Sequence, residues 1–355
     1  MSIITVVGAG QMGSAIAIPA AENGHTLRLV GTPLDREIID HARKTGYHLN
    51  LKRQLHPSFT YYQIEQLDEA LQGADLLIGG VSSFGVDWFV EHILTRIPES
   101  LPVLSITKGL WNDPDGTLID YPAYYARKLE ALAPGRSLSL NAVGGPCTSY
   151  ELADRDPTEV CFCGRDPQLL RWMRGLFQRD YYHISLSTDV TGVECAVALK
   201  NAYALGVTLA VGLAERREGK EGVLHYNSQA ALFGQSIREM RRLIALVGGQ
   251  DDNIVYGAGD LYVTIYGGRT RRIGTLLGRG LSFQEAMAQL KGVTLESIVI
   301  AARAATAVQA LIARGVLRAE DFPLLNYINE IITLGKPVDI PWAAFTTESF
   351  LEERQ

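Results

Sequence analysis

Cysteine and histidine chemistry is almost absent from this chain. Its four cysteines, Cys147, Cys161, Cys163 and Cys195, make no C-x-x-C pair and no metal-like spacing. Its seven histidines include no H-E-x-x-H or similar pair, so no metal site is expected. Disulfides persist mainly in oxidising compartments, and cysteines spaced in this way read as reduced cytosolic thiols. Cys161 and Cys163 alternate along an expected strand and face one side, which suits core packing. An excess of positive charge is missing as well. The net charge of −6 argues against a broad nucleic-acid or acidic-membrane footprint. No basic segment with a cleavage site opens the chain, so no signal peptide is expected, and no repeat or low-complexity stretch is visible. What remains is ordinary globular composition, with 355 residues available for two domains and a large core.

Glycine supplies the first positive signal. The β-branched run Ile3–Val7 enters Gly8-Ala9-Gly10-Gln11-Met12-Gly13, a helical pattern follows to about Asn23, and Thr26–Val30 reads as a second strand. G-x-G-x-x-G alone is weak. Between a strand and a helix it is a dinucleotide fingerprint, because the glycines permit a tight turn and close backbone approach to a pyrophosphate at the helix N-terminus. The acid that would hold a ribose 2′-OH is expected where the chain reads Val30-Gly31-Thr32. Asp35 comes slightly late, followed by Arg36. A missing acid beside an arginine leans toward the 2′-phosphate of NADP.

Strand and helix go on alternating. Leu76–Val81, Val103–Thr107, Leu138–Val143, Glu159–Cys163 and Tyr182–Leu186 read as strands, with a helix over Pro167–Phe177. Loops at strand C-termini gather around one crevice in such sheets, which groups Gly8, Ser82, Lys108 and the Gly144-Gly145 turn. After Ser187 only helical patterns appear. The expected architecture is a doubly wound, Rossmann-type α/β domain over residues 1–187, followed by an all-α domain over 188–355.

Thr191–Leu213 is small and apolar throughout except at its centre, where Lys200 and Asn201 stand together. A helix apolar all round is buried in a protein or in a membrane. A Lys-Asn pair at its centre and the lack of a second span favour a buried helix in a soluble fold. A buried ammonium is costly unless paired, so Lys200 is either a structural partner or a chemical group. Further on, if Asp260 begins a helix, its charge suits the helix dipole and Thr264 falls on the same face one turn later. Gly267-Gly268 ahead of Arg269, Arg271 and Arg272 reads as a phosphate-holding loop, although the arginines on charge alone also fit a solvated surface.

Together these segments resemble the NAD(P)-dependent glycerol-3-phosphate dehydrogenases. The matching pieces, in order, are GAGQMGSA, SITKGL, GGPCTSYELADRDPTEV, GVECAVALKNAYAL and GAGDLYVTIYGGRTRRIGTLLGRG. The resemblance implies reversible hydride transfer between a nicotinamide and dihydroxyacetone phosphate or glycerol 3-phosphate, with NADP or NAD as cofactor. It also implies a 6-phosphogluconate-dehydrogenase-like helical C-terminal domain, a cytoplasmic enzyme of phospholipid biosynthesis, and a possible homodimer. Lys200 would be the general acid and base, with Asp260 and Lys108 completing the catalytic set. Lys108, Asn201, Thr264, Arg269, Thr270 and Gly145 would meet the substrate. Gly8, Gly10, Gln11, Met12, Gly13, Thr32, Arg36, Ser82, Lys108, Arg269 and Glu296 would meet the cofactor. Taken alone, Glu296 also reads as a solvated helix residue.

The departures cluster on the phosphate side. The family's Arg-Asn pair is Arg269-Thr270 here, Cys147-Thr148-Ser149-Tyr150 replaces the usual residues after Gly-Pro, and Ser297 replaces the glycine after the glutamate. Arg271 and Arg272 are expected to compensate for the missing asparagine. The alternatives are a reductase of the same build acting on another small phosphorylated or carboxylated ketone, and a dinucleotide sensor without turnover. The sensor would be expected to lack Lys200 and Asp260.

Overall fold

The computed structural model describes residues 1–293 and 295–346. Its centre is an eight-stranded sheet. In chain order the strands are β1 (Ile3–Val7), β2 (Thr26–Val30), β3 (Phe59–Tyr62), β4 (Leu76–Gly79), β5 (Val103–Ser105), β6 (Leu140–Gly144), β7 (Thr158–Cys163) and β8 (Tyr182–Ser187). They lie side by side as β8-β7-β6-β5-β4-β1-β2-β3. Every pairing is parallel except β6 with β7. Helices cover both faces of a parallel sheet, which is why β1, β4 and β5 are nearly continuous apolar runs. The chain builds outward from β1 to β3, then crosses back to place β4 on the other side of β1. The order reverses between β1 and β4, and a crevice opens above their C-terminal ends. Strand β3 was not legible: an edge strand needs no apolar run, and Phe-Thr-Tyr-Tyr pairs only with β2.

Among the described residues no strand follows Ser187, and the rest of the chain is helical. The helix Val190–Glu218 forms the axis of this half. Asp189 caps it, accepting from Gly192 N at 2.9 Å, and also accepts from Gln250 N and Asn253 Nδ2. Three helices pack closely around this core helix: Tyr226–Leu246, Ile254–Tyr266 and Gly268–Gly278. Close approach sets their register. A Cβ on Gly257 would sit 2.6 Å from Ala196 O, and one on Gly278 would sit 2.2 Å from Leu209 O. Backbones this near leave no room for a side chain, so the Asp260 and Arg269 segments are pinned against fixed points of the core helix.

The core helix is long and apolar enough to span a membrane, but its most apolar window is 89% buried inside the protein. A second helix, Glu296–Ala313, also passes on length and composition, contrary to the expectation of none, and 39% of its window is buried. Cys161, Cys163 and Cys195 are buried thiols, and all four cysteines are free. Cys161 and Cys163 pack together beside Ala142 and Val193, so their alternation serves the core.

Candidate active site

The glycine turn after β1 is shaped by contact with the turn after β4. Gly8 has φ +111°, and a Cβ there would lie 2.6 Å from the Gly80 carbonyl; one on Gly13 would lie 2.3 Å from Gly8 O. Gly10 faces open space, since its Cβ would meet nothing within 4 Å. The free N–H groups that open the helix Gln11–Glu22 therefore border a cavity with room for a pyrophosphate. Asp35, late for a ribose acid, braces this turn: its carboxylate accepts from Ala9 N at 3.2 Å, Thr32 N at 2.9 Å and Thr32 Oγ1 at 2.7 Å. His48 supports the other side. Its Nδ1 accepts from Leu51 N, so its Nε2 donates to Ala9 O at 3.0 Å, and burial lowers its pKa and keeps it neutral. Nothing in the sequence marked Asp35 or His48 for bracing, because both reach across loops.

Two joined hollows extend from this turn. The smaller, about 420 Å³, is walled by Gly8, Gly10, Thr32, Ser82 and the unanticipated Leu34, Phe84 and Trp88. It has the apolar slot that an adenosine needs. Arg36 does not line it; its guanidinium is paired with Glu65 on the surface. The larger, about 720 Å³, takes in Gln11, Met12, Gly13, Ser82, Lys108, Cys147, Lys200, Asn201, Asp260, Thr264, Arg269, Thr270 and Glu296. Sequence-distant candidates thus meet in one place.

Lys200 sits at the floor of the larger hollow. Its Nζ donates to Asp260 Oδ1 at 2.7 Å and to Thr264 Oγ1 at 2.9 Å. Lys108 pairs with the other carboxylate oxygen and donates to Gly145 O at 2.9 Å. Asp260 is only 1% exposed, so its charge is balanced by two ammonium groups rather than by water. Burial pulls the Lys200 pKa below the usual lysine value; Asp260 opposes that pull, and Lys108 adds to it. The Cys147 thiol is pushed up to about 12 by burial, which leaves it a neutral wall residue. One turn and a half before Lys200, Glu194 is buried with neither oxygen partnered among the described residues, and burial raises its pKa well above the usual carboxylate value.

Three local expectations are corrected. Asp260 does not begin a helix. It lies in the middle of Ile254–Tyr266, where Gly257 and Gly259 permit close packing rather than ending a helix, so the dipole plays no part in its placement. Gly267-Gly268 does not open a loop of arginines. Gly268, at φ +79°, starts the helix Gly268–Gly278, whose first turn carries Arg269 and Thr270. Helical rotation then turns Arg271 and Arg272 away, so neither lines the active cavity nor replaces the missing asparagine. Glu296, by contrast, lies inside: its Oε1 accepts from Ser83 N at 3.4 Å and Ser83 Oγ at 3.2 Å, across the mouth between the two halves.

Comparison with known proteins gives the family of the chain. Residues 3–170 match the N-terminal model, and residues 189–342 the C-terminal model, of NAD-dependent glycerol-3-phosphate dehydrogenase. The NADP(+)-dependent glycerol-3-phosphate dehydrogenase of Archaeoglobus fulgidus is 33% identical over 291 residues, covering 81% of this chain and 84% of that one. The Shouchella clausii glycerol-3-phosphate dehydrogenase [NAD(P)+] is 29% identical over 311 residues, 84% of each. The fold is shared with the glycerol-3-phosphate dehydrogenase structure from Coxiella burnetii, at TM-score 0.76 and 22% identity over 99% of both chains. With both family models matched in sequence order and a relative one-third identical across most of its length, this chain belongs to the NAD-dependent glycerol-3-phosphate dehydrogenase family.

Proposed function

We propose that this chain interconverts dihydroxyacetone phosphate and sn-glycerol 3-phosphate with NAD or NADP, and that Lys200 moves the proton. The observation that carries this reading is the buried Lys200 Nζ, held by Asp260 and Thr264 at the floor of a hollow that runs to the glycine turn. A bound nicotinamide supplies or accepts the hydride at the substrate's C2 carbon. Lys200 donates its proton to the C2 oxygen as charge develops there, and takes it back in the reverse direction. A lysine with a lowered pKa suits both roles, because acid–base catalysis is most effective near the working pH. Lys108, anchored on Asp260 and Gly145 O, presents a second cation to the same oxygen. Arg269 takes the phosphate at the rim, with Thr270 and Asn201 lining the space beside it.

The finer parts of the reading are proposed with it. The boundary between the dinucleotide and helical domains falls between residues 187 and 188, where the last strand gives way to the core helix; residues 347–355 lie outside the described residues. Arg36 reads a 2′-phosphate by exchanging its exposed partner Glu65, a surface pair worth little and so easily given up. The enzyme is taken to work in the cytoplasm as a homodimer with no membrane span, supplying glycerol phosphate for phospholipid synthesis. Thr270 keeps a second reading in play, a related phosphorylated or carboxylated ketone, because it replaces the amide donor of the family pattern.

The test is oxidation of NADPH and NADH, side by side, with dihydroxyacetone phosphate and a panel of related ketones. Turnover on the phosphate ester is expected, with Arg36→Ala weakening NADPH and sparing NADH. No turnover on the ester with activity on another ketone overturns the first reading in favour of the second.

A further inference from the structure

Arg271 and Arg272 have no place in the active cavity, and the helix that carries them has a second face. On that face Arg271, Arg272, Thr275 and Arg279 line a separate hollow of about 310 Å³, closed by Glu215, Leu276, Gln289 and Leu290. It shares no lining residue with the active cavity. Arg271, Thr275 and Arg279 are spaced i, i+4, i+8, so they stack along one stripe of the helix. Three guanidinium groups face a single carboxylate, that of Glu215, which pairs with Arg279. Arg271 donates to Ile265 O at 2.6 Å and keeps donors to spare. Arg272 is exposed and has no hydrogen-bond or ion-pair partner among the described residues.

A second observation points to a ligand. Thr275 is 8% exposed, and its Oγ1 is buried without a partner. A threonine inside a helix ordinarily returns its hydroxyl to a carbonyl one turn back, as Thr208 does to Ala204 O at 2.7 Å. Thr275 does not, although its backbone is fixed: a Cβ on Gly212 of the core helix would lie 2.2 Å from Thr275 O. A buried hydroxyl left unmade costs free energy, and this one lies in the wall of a hollow rich in guanidinium donors.

We propose that this hollow is a second anion site, built for a small soluble molecule carrying a phosphate group. Arginine forks match phosphate oxygens in geometry as well as charge. Thr275 supplies a neutral hydroxyl from below, and Leu276 and Leu290 give the remainder of the molecule an apolar wall. The site does not depend on which ketone the active cavity takes.

Equilibrium dialysis of labelled inorganic phosphate against the full chain at low ionic strength tests this. With a saturating dinucleotide filling the anion position at the glycine turn, the wild type is expected to bind two phosphates per chain, one at Arg269 and one here. Arg269→Ala should leave one, with unchanged affinity. In that background Arg272→Gln should weaken the remaining phosphate about tenfold and Thr275→Val a few-fold. Arg272→Gln alone should leave ketone turnover intact, which also shows that the variant folds. Loss of all phosphate binding in Arg269→Ala, or a retained phosphate indifferent to Arg272→Gln, overturns the proposal. Sedimentation with anionic phospholipid vesicles separates the two sources of phosphate. No sedimentation is expected, and sedimentation abolished by Arg272→Gln would overturn the soluble ligand in favour of a lipid headgroup.

Discussion

Asp260 and Glu239 are two carboxylates buried to almost the same degree, at 1% and 0% exposure, on neighbouring helices packed against the same core helix. Their partners differ in kind. Asp260 holds two lysines, both of which line the large hollow. Among the described residues Glu239 holds only neutral donors: Leu324 N at 2.7 Å, Leu325 N at 2.9 Å, Gln235 Nε2 at 2.7 Å and Tyr203 Oη at 3.0 Å. Two of these are backbone groups opening the helix Pro323–Leu334, so Glu239 joins the Tyr226–Leu246 helix to that helix's otherwise orphaned N-terminus. Burial alone therefore does not mark a functional acid. What matters is whether its partners can lose or gain a proton in contact with a cavity, or merely complete a structure.

The widest separation between the two acids is expected from their partners' chemistry. Lys200→Ala removes the proton donor, and turnover should fall by about 10²–10⁴ while NADPH binding, followed by fluorescence, survives. Loss of cofactor binding instead would make Lys200 a structural partner, and the contrast with Glu239 would collapse. Asp260→Asn comes next, at about 10² in kcat, because two neighbouring ammonium groups lose the charge that balances them. Its pH profile carries the sign. Reduction needs protonated Lys200, so its rate falls as pH rises through the Lys200 pKa. Removing Asp260, which raises that pKa, should move the fall to lower pH. An unmoved profile would show that Asp260 does not act through Lys200.

Glu239→Gln should do the reverse, lowering stability by about 2 kcal/mol while leaving kcat within a factor of two, since an amide presents one acceptor where four donors converge. Burial raises the Glu239 pKa to about 6 from the usual 4.5. Between those values the folded state binds more protons than the unfolded one, so this group's contribution to stability grows as pH falls from 6 to 4.5 and is flat above 6. Glutamine cannot titrate. The stability gap between wild type and variant, read from urea melts, should therefore widen across that window as pH falls. A constant gap would mean that Glu239 is already ionised throughout.

Much of this was legible because apolar runs and glycines carry strong local meaning. The strands that flank the crevice read directly from their buried runs, and Lys200 stood out as the charge in an otherwise apolar helix. What was not legible depends on contacts between distant segments. Gly257 and Gly259 look like helix punctuation in sequence, yet inside Ile254–Tyr266 Gly257 packs on the Ala196 backbone and Gly259 on the Pro146 ring, and this places Asp260 beside Lys200. The arginines after Gly268 read as one phosphate clamp, but 100° of rotation per residue divides them between two faces of a helix. Glu239 carried no signal at all, because its donors come from positions 203, 235, 324 and 325.

The smallest effects make the sharpest comparison, since each removes a single hydroxyl from one of the two clusters. Thr264 Oγ1 accepts from Lys200 Nζ and donates to Asp260 O at 2.7 Å. Tyr203 Oη donates to Glu239. Thr264→Val keeps the shape but leaves the ammonium one acceptor short, so Lys200 is held less firmly and its charged form is less favoured. Turnover should drop a few-fold, with melting nearly unchanged. Tyr203→Phe takes one neutral donor from a buried carboxylate that retains three, which should cost about 1 kcal/mol of stability with unaltered turnover. If Thr264→Val instead lowered melting and spared kcat, the hydroxyl would belong to the scaffold, and the Lys200 cluster would resemble Glu239 more closely than its position in the cavity implies.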